Sequence, residues 1–183
     1  MRSLAVVAGA LVVALAACGG GGGGGGSSPP TVPMPTFTFA SGGGAGAGSL
    51  ALATGSGSTS SRLRLDLAAN QATDLYGISF DLVFPAQTVQ FDTASEGVFL
   101  SASGAVATSF QVFQSEPGRL VVGLSRLGNV DGVAGSGTLL TLELVPVAAG
   151  TGALSFEDAH AYDSAGDEIS AATFVGGTVT YTP

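Results

Sequence analysis

The stretch DLYGISFDLVFPAQTVQF, residues 74–91, alternates apolar and other side chains in a way that decides the fold. Ile78, Phe80, Leu82 and Phe84 occupy every second position. Successive side chains of a β-strand point to opposite faces, so this spacing predicts a strand with one buried face. Pro85 follows directly and ends the strand, because proline has no N–H to donate to a neighbouring strand.

The same period of two recurs along the rest of the chain. It appears in RLRLDLAAN (62–70), GRLVVGLS (118–125) and GTLLTLELV (137–145). Shorter strands are predicted at 50–53, 89–91, 109–113, 153–156 and 178–181. No stretch after Ser49 shows helical spacing, and turn residues separate the strands. The sequence therefore predicts an all-β domain, a nine-stranded jelly-roll β-sandwich.

Length and charge limit the classes of function. The 183 residues allow one domain with a leader and a linker. The chain has thirteen acidic and five basic residues, which gives a formal net charge of -8, and it contains no lysine. Binding to nucleic acid or to an anionic membrane surface requires clustered basic residues. We therefore expect no nucleic-acid partner.

The N-terminus has the features of a bacterial lipoprotein leader. The apolar run from Leu4 to Leu15 is too short to span a bilayer, which is typical of a signal peptide. Leu15-Ala16-Ala17-Cys18 resembles the lipobox, in which the cysteine is lipidated and becomes the first mature residue. We predict a signal peptide at 1–17, lipidation of Cys18, and membrane contact through this lipid anchor alone.

Glycine, serine and proline dominate the next segment. Eight glycines follow Cys18, and a second Gly/Ala stretch spans 42–48. Such composition does not support a packed core, so residues 18–46 are predicted to be a flexible tether and 47–183 the folded domain. Gly19 stands where an aspartate retains similar lipoproteins at the inner membrane. We therefore expect export to the outer membrane or cell surface.

The folded part resembles the cohesin family. The resemblance is carried by residues 74–91, by GRLVVGLSRLGNVDGVAGSGTLLTLELV (118–145) and by LSFEDAHAYDSAGDEI (154–169). It covers residues 47–183 in the expected order. Cohesins are relatives of cellulose-binding modules, and they bind dockerin modules through one flat sheet face. The resemblance thus implies a nine-stranded jelly roll and a protein partner.

The resemblance also implies which residues form the partner-binding face. The predicted face consists of Ser79, Asp81, Val83, Gln111, Phe113, Val121, Ser125 and Glu157. The best-known dockerin-binding cohesins carry Asn and Asp where this chain has Gly77 and Ser79. Fewer hydrogen-bonding groups are thus present than in that class.

The sequence offers little for catalysis or metal binding. His160 is the only histidine and Cys18 the only cysteine, and these are too few ligands for a zinc site. We interpret His160 as a solvated loop residue. Carboxylate pairs that cleave sugars sit among aromatic platforms, and the chain has no tryptophan. We predict no catalytic residue, no metal site and no cofactor. Whether the acidic turn 157–168 holds calcium is left open, with Gly166 expected at positive φ.

The functional interpretation is a non-catalytic cohesin-like module, lipid-anchored at the cell envelope, that binds a partner protein such as a dockerin-like module. One alternative is a carbohydrate-binding module linked to polysaccharide degradation, with polysaccharide as the ligand. The other is a structural or secretion-associated envelope lipoprotein. A row of exposed aromatic side chains would favour the carbohydrate-binding alternative.

Overall fold

The computed structural model describes residues 33–183, which contain eleven β-strands and no helix. The strands are β1 (Thr36–Ser41), β2 (Ser49–Thr54), β3 (Leu63–Leu75), β4 (Gly77–Val83), β5 (Val89–Glu96), β6 (Thr108–Glu116), β7 (Arg119–Arg126), β8 (Val133–Pro146), β9 (Gly150–Tyr162), β10 (Thr173–Val175) and β11 (Gly177–Thr182). No helix among the described residues is long and apolar enough to cross a membrane.

The strands form two sheets. The six-stranded sheet has the order β1-β11-β9-β4-β7-β6, and the five-stranded sheet has the order β10-β2-β3-β8-β5. All pairs are antiparallel except β10 with β2, which is parallel. The apolar residues of both inner faces form one core, so the predicted all-β sandwich is confirmed.

The alternating residues of the sequence build that core. The following side chains are all at most 4% exposed: Leu63, Leu65, Leu67, Ile78, Phe80, Leu82, Phe84, Leu120, Val122, Leu124, Leu140, Leu142 and Leu144. Phe80 packs edge-on against Phe156 with ring centroids 5.0 Å apart, and Phe174 joins the pair. The alternating apolar residues of β3, β4, β7 and β8 therefore face inward.

The structure has two strands more than the nine predicted. Each of the nine predicted segments overlaps an observed strand, and β1 and β10 are additional. The strand β10 has three residues, of which Phe174 packs into the core. A strand of this length shows too little alternation to be recognised from its sequence.

The predicted boundary between tether and domain at residue 47 is wrong. Strand β1 lies inside the range assigned to the tether, and the compact unit begins at Pro33. Phe37 of β1 is only 6% exposed and packs edge-on against Tyr181 of β11. The alternation of Phe37 and Phe39 marks a strand, but glycines and prolines on both sides obscure it. Cys18 and the predicted signal peptide lie outside the described residues.

Candidate functional site

The outer face of the six-stranded sheet carries the residues predicted to bind a partner. Strands β9, β4, β7 and β6 lie side by side, and their register sets these residues in transverse rows. One row runs from Gln111 through Gly123 to Ser79, and the next from Phe113 through Val121 to Asp81. The eight predicted residues thus share one face, and their role in binding stays a prediction.

Two glycines on this face open a shallow trough of about 510 Å³. Its floor consists of Gly77, Ser79, Val121, Gly123 and Ser125. We call the depression above these five residues the trough. A Cβ atom added at Gly123 would meet no heavy atom within 4 Å, so the surface is open there. At Gly77, by contrast, an added Cβ would lie 3.1 Å from Cβ of Ser125.

Aromatic side chains border the trough on both sides. Phe113 of the outer strand β6 is 57% exposed, a large apolar side chain left in water. Tyr76, between β3 and β4, and Tyr162, the last residue of β9, line the other side. The hydroxyl of Tyr76 donates a hydrogen bond of 2.7 Å to the carbonyl oxygen of Gly128, which fixes that ring in place. An apolar side chain entering the trough would therefore contact aromatic carbon from two directions.

A network of charged side chains lies next to the trough, around Arg119 of β7. Its guanidinium donates hydrogen bonds to Asp81 (2.8 Å), Glu157 (2.7 Å) and Glu116 (3.1 Å). These bonds, first the one to Glu157 and then the one to Asp81, raise the pKa of Arg119 above its ordinary value. Three carboxylates around one guanidinium leave this end of the face negatively charged.

His160 is not in a loop, as the sequence suggested, but in strand β9 on the same face. It lies opposite Ser79 of β4, and its Nδ1 atom is 2.8 Å from Oε1 of Glu168. A β-bulge, with Asp158 at a φ of 45°, shifts the register between Glu157 and His160. This bulge obscures the alternation from which the position of His160 would follow.

The structure divides the predicted face residues into two groups. Ser79, Gln111, Phe113, Val121 and Ser125 line the trough. Asp81 and Glu157 bind Arg119, and Val83, the last residue of β4, lies opposite Arg119 in the neighbouring strand. Sequence reasoning missed Arg119 and Tyr162. The alternation of β7 places Arg119 on the side of Val121 and could have revealed it.

In the acidic turn after β9, the carboxylate of Asp163 is hydrogen-bonded within the turn. Oδ1 of Asp163 accepts hydrogen bonds from the backbone N–H groups of Ala165 and Asp167, both at 2.9 Å. Gly166 has a φ of 87°, as expected. Among residues 33–183, no group of three or more acidic, histidine or cysteine side chains has the arrangement of a metal site.

The fold is similar to that of solved cohesins. The second type II cohesin module from the adaptor ScaA scaffoldin of Acetivibrio cellulolyticus matches with a TM-score of 0.57 and 14% identity, over 84% of this chain and 93% of that one. A non-cellulosomal cohesin from the hyperthermophilic archaeon Archaeoglobus fulgidus matches with a TM-score of 0.50 and 19% identity, over 77% and 88%.

A third similar structure contains a partner. The sixth cohesin from scaffoldin B of Acetivibrio cellulolyticus, solved in complex with a mutant Cel5 dockerin, has a TM-score of 0.54 and 15% identity, over 64% of this chain and 86% of that one. No family model and no curated protein sequence matches the chain. At these identities the likeness concerns the fold, and the protein has a cohesin-like fold.

Proposed function

We propose that this protein is a non-catalytic binding module that docks a partner protein on the outer face of strands β9, β4, β7 and β6. The observation that carries the proposal is the trough on that face. A flat sheet offers no pocket for a protruding side chain, whereas the two glycines open one between aromatic borders. Interfaces draw much of their affinity from such central, well-packed anchors.

The chemistry of the face defines the partner. The trough accepts an aliphatic or aromatic side chain, and the hydroxyls of Ser79 and Ser125 with the amide of Gln111 offer hydrogen bonds around it. The network of Arg119 carries an excess of carboxylates, so a basic residue of the partner is favoured next to Asp81 or Glu157. A dockerin-like module with an apolar anchor beside a lysine or arginine fits both features.

Blocking the trough tests this docking surface. The bait is the chain from Pro33 to Pro183, which contains both sheets and the whole core. Gly123→Val fills the trough at a position where a Cβ meets nothing, so the fold is expected to persist. Ala53→Val on the exposed surface of β2, in the other sheet, is the matched control.

The expected result is that the parent and Ala53→Val capture the same protein from solubilised envelope, and Gly123→Val does not. Titration with that purified protein should show affinity reduced about tenfold or more by Gly123→Val, equivalent to about 1.4 kcal/mol. A partner that all three baits retain equally would refute docking at the trough. Capture of a polysaccharide instead of a protein would favour the carbohydrate-binding alternative.

We also propose that Cys18 anchors the module to the cell envelope through lipid. The domain begins at Pro33, so the tether predicted from sequence is shorter than residues 18–46. If the tether comprises residues 18–32, a glycine-rich chain of that length has a root-mean-square reach of roughly 20 Å, enough to hold the module beside the membrane surface. Mass spectrometry should find acyl chains on Cys18, and Cys18→Ser should release the protein from the membrane fraction. An unmodified cysteine in membrane-bound protein would refute the anchor.

A further inference from the structure

The two ends of the sandwich differ in charge. At one end lie the entry to β1 and the connections β2–β3, β4–β5, β6–β7 and β8–β9, which are residues 33–35, 55–62, 84–88, 117–118 and 147–149. We call it the tether end, because the predicted tether meets the domain there at Pro33. These segments contain no acidic residue, and Arg62, their one basic residue, is paired with Asp92 and Glu143.

Backbone pairing holds the segments of the tether end together. The N–H of Phe84 donates to the carbonyl oxygen of Gly118, and the N–H of Val147 donates to that of Thr88, both at 2.8 Å. Strands β1 and β9 both run antiparallel to β11, which sets their first residues at the same end of β11. The segments therefore form one continuous surface around the point where the tether joins.

The opposite end of the sandwich is acidic. Its connections 127–132 and 163–172 contain no basic residue and four acidic ones, Asp131, Asp163, Asp167 and Glu168. Two large apolar side chains, Val98 and Leu127, are exposed at this end as well, but they share it with these carboxylates. An anionic lipid surface therefore repels this end more strongly than it repels the tether end.

The tether end exposes apolar side chains without such carboxylates. Met34 is 83% exposed and Val147 is 54% exposed. Pro117, Ala148 and Ala149 are exposed beside them on the same end. The nearest acidic side chain, Glu116 at the end of β6, is paired with Arg119. Apolar side chains that enter a bilayer leave water at little cost, because no unpaired charge enters with them.

We propose that the tether end rests on the lipid bilayer, so that the domain itself contacts the membrane in addition to the lipid on Cys18. This inference rests on the proposed anchor, which selects lipid as the occupant. The tether joins at Pro33, next to Met34, and keeps this end within its reach of the surface. Anchoring makes the contact intramolecular, at an effective concentration on the order of millimolar, so a small apolar surface is sufficient.

The contact sets the strands upright on the membrane and leaves the docking face free. Strands β9, β4, β7 and β6 run from one end of the sandwich to the other, and the trough lies on their outer face between the two ends. In this orientation the face stands at a steep angle to the membrane. A partner can then reach the trough from the side while the domain remains on the bilayer.

Single tryptophans test the contact, because the chain has none of its own. The chain from Cys18 to Pro183 is coupled through the Cys18 thiol to a maleimide lipid in vesicles of phosphatidylcholine and phosphatidylglycerol. Part of the phosphatidylcholine carries bromine on its acyl chains, which quenches a tryptophan in contact with them. We expect Val147→Trp to show blue-shifted, quenched emission. The matched control, Val98→Trp at the opposite end, should emit as it does without vesicles.

A further substitution separates the surface from the introduced ring. Met34→Asp in the Val147→Trp chain places a charge at the tether end and should remove most of the quenching, because a carboxylate is costly to bury in lipid. Quenching that Met34→Asp leaves unchanged would assign the contact to the tryptophan and overturn the proposal. Equal quenching of Val147→Trp and Val98→Trp, or quenching of neither, would also overturn it.

The result is independent of the two functions proposed above. The coupling is chemical, so it does not require natural lipidation of Cys18, and an unmodified cysteine in cells would refute the anchor without altering the quenching on vesicles. Gly123→Val fills the trough and leaves the tether end unchanged, so it should not affect the quenching. A failure of this contact is therefore distinguishable from a failure of the anchor or of docking at the trough.

Discussion

Nη1 of Arg119 lies 2.8 Å from Oδ2 of Asp81, and this ion pair crosses from β7 to β4 at the edge of the trough. The side chains are 26% and 20% exposed, so both are largely withdrawn from water. The same guanidinium reaches Glu157 of β9, which links three neighbouring strands through one side chain. Asp81 is the one partner that is largely buried, since Glu157 and Glu116 are 50% and 65% exposed. A partly buried ion pair such as that of Arg119 with Asp81 contributes more to stability than an exposed surface pair does.

Removal of this guanidinium should destabilise the domain. Arg119→Met keeps the aliphatic stem but leaves Asp81, Glu157 and Glu116 facing each other without a cation. The matched control is Arg62→Met, because Arg62 also binds two carboxylates but is 50% exposed on the other sheet. Urea denaturation should show a greater decrease in the free energy of unfolding for Arg119→Met. Equal decreases would mean that the partly buried network adds nothing beyond an exposed pair.

Asp74 at the end of β3 should make the domain sensitive to acid. Its carboxylate accepts hydrogen bonds from the hydroxyl of Ser164 (2.9 Å) and the N–H of Gly132 (2.9 Å), and so joins two loops. The bond from Ser164, followed by the backbone bonds, lowers the pKa of Asp74 below its ordinary value of 3.8. The resulting stability is present above pH 3.8 and disappears as the pH falls through the lower pKa of the folded state.

The variant Asp74→Asn separates charge from backbone geometry. Asp74 has a φ of 52°, a conformation that asparagine also tolerates. We expect the variant to be less stable than the parent at neutral pH and the difference to shrink below pH 3.8. Asp131→Asn in the neighbouring loop is the control. A stability difference that does not change with pH would show that the carboxylate charge is not involved.

The sequence was most informative where alternation is long and uninterrupted. Strand β7 alternates over all eight of its residues, and β4 and β8 alternate over six, 78–83 and 140–145. The inner and outer residues of these stretches could be assigned correctly. Strand β9 has a bulge at Asp158, so the assignment failed beyond it and His160 was placed in a turn. A bulge depends on how a strand pairs with a partner far away in the sequence. The contact of Phe37 with Tyr181 depends on such distant pairing as well.

The trough could not be predicted for the same reason, because it arises from the pairing of two strands. The sequence shows Gly77 and Gly123 as separate glycines in two strands, and nothing local places them in neighbouring rows. The antiparallel register of β4 and β7, with Gly77 opposite Ser125 and Ser79 opposite Gly123, brings them together. A depression in a sheet face is therefore a property of the pairing, and it could not be predicted from either strand alone.

Two glycines should respond to alanine with opposite signs. Gly123→Ala adds a Cβ into open space and removes backbone freedom from the unfolded chain, so it should stabilise the domain by about 0.5 kcal/mol. At Gly176 a Cβ would collide with the backbone carbonyl oxygen of Leu154, so Gly176→Ala should destabilise it by about 1–3 kcal/mol. Chemical denaturation measures both. A destabilised Gly123→Ala would mean that the trough is not open in solution.

Arg126 ends strand β7 on its inner side, in line with Leu120, Val122 and Leu124. It is 8% exposed, and its Nε atom is buried without a hydrogen-bond partner. No carboxylate of the described chain forms an ion pair with it, in contrast to Arg119 on the outer side. Burial of a polar N–H without a hydrogen-bond partner costs free energy, because the group loses its bond to water and gains none in return.

Replacement of Arg126 by an apolar side chain of similar length should therefore stabilise the fold. Arg126→Met keeps the packing of the stem against the inner face and removes the buried Nε–H that has no hydrogen-bond partner, for an expected gain of about 1 kcal/mol. Arg126→Lys also lacks this N–H but keeps the charge, and it should show a smaller gain. Thermal and urea denaturation measure both variants. A Met variant less stable than the parent would indicate that the guanidinium has a stabilising partner in solution.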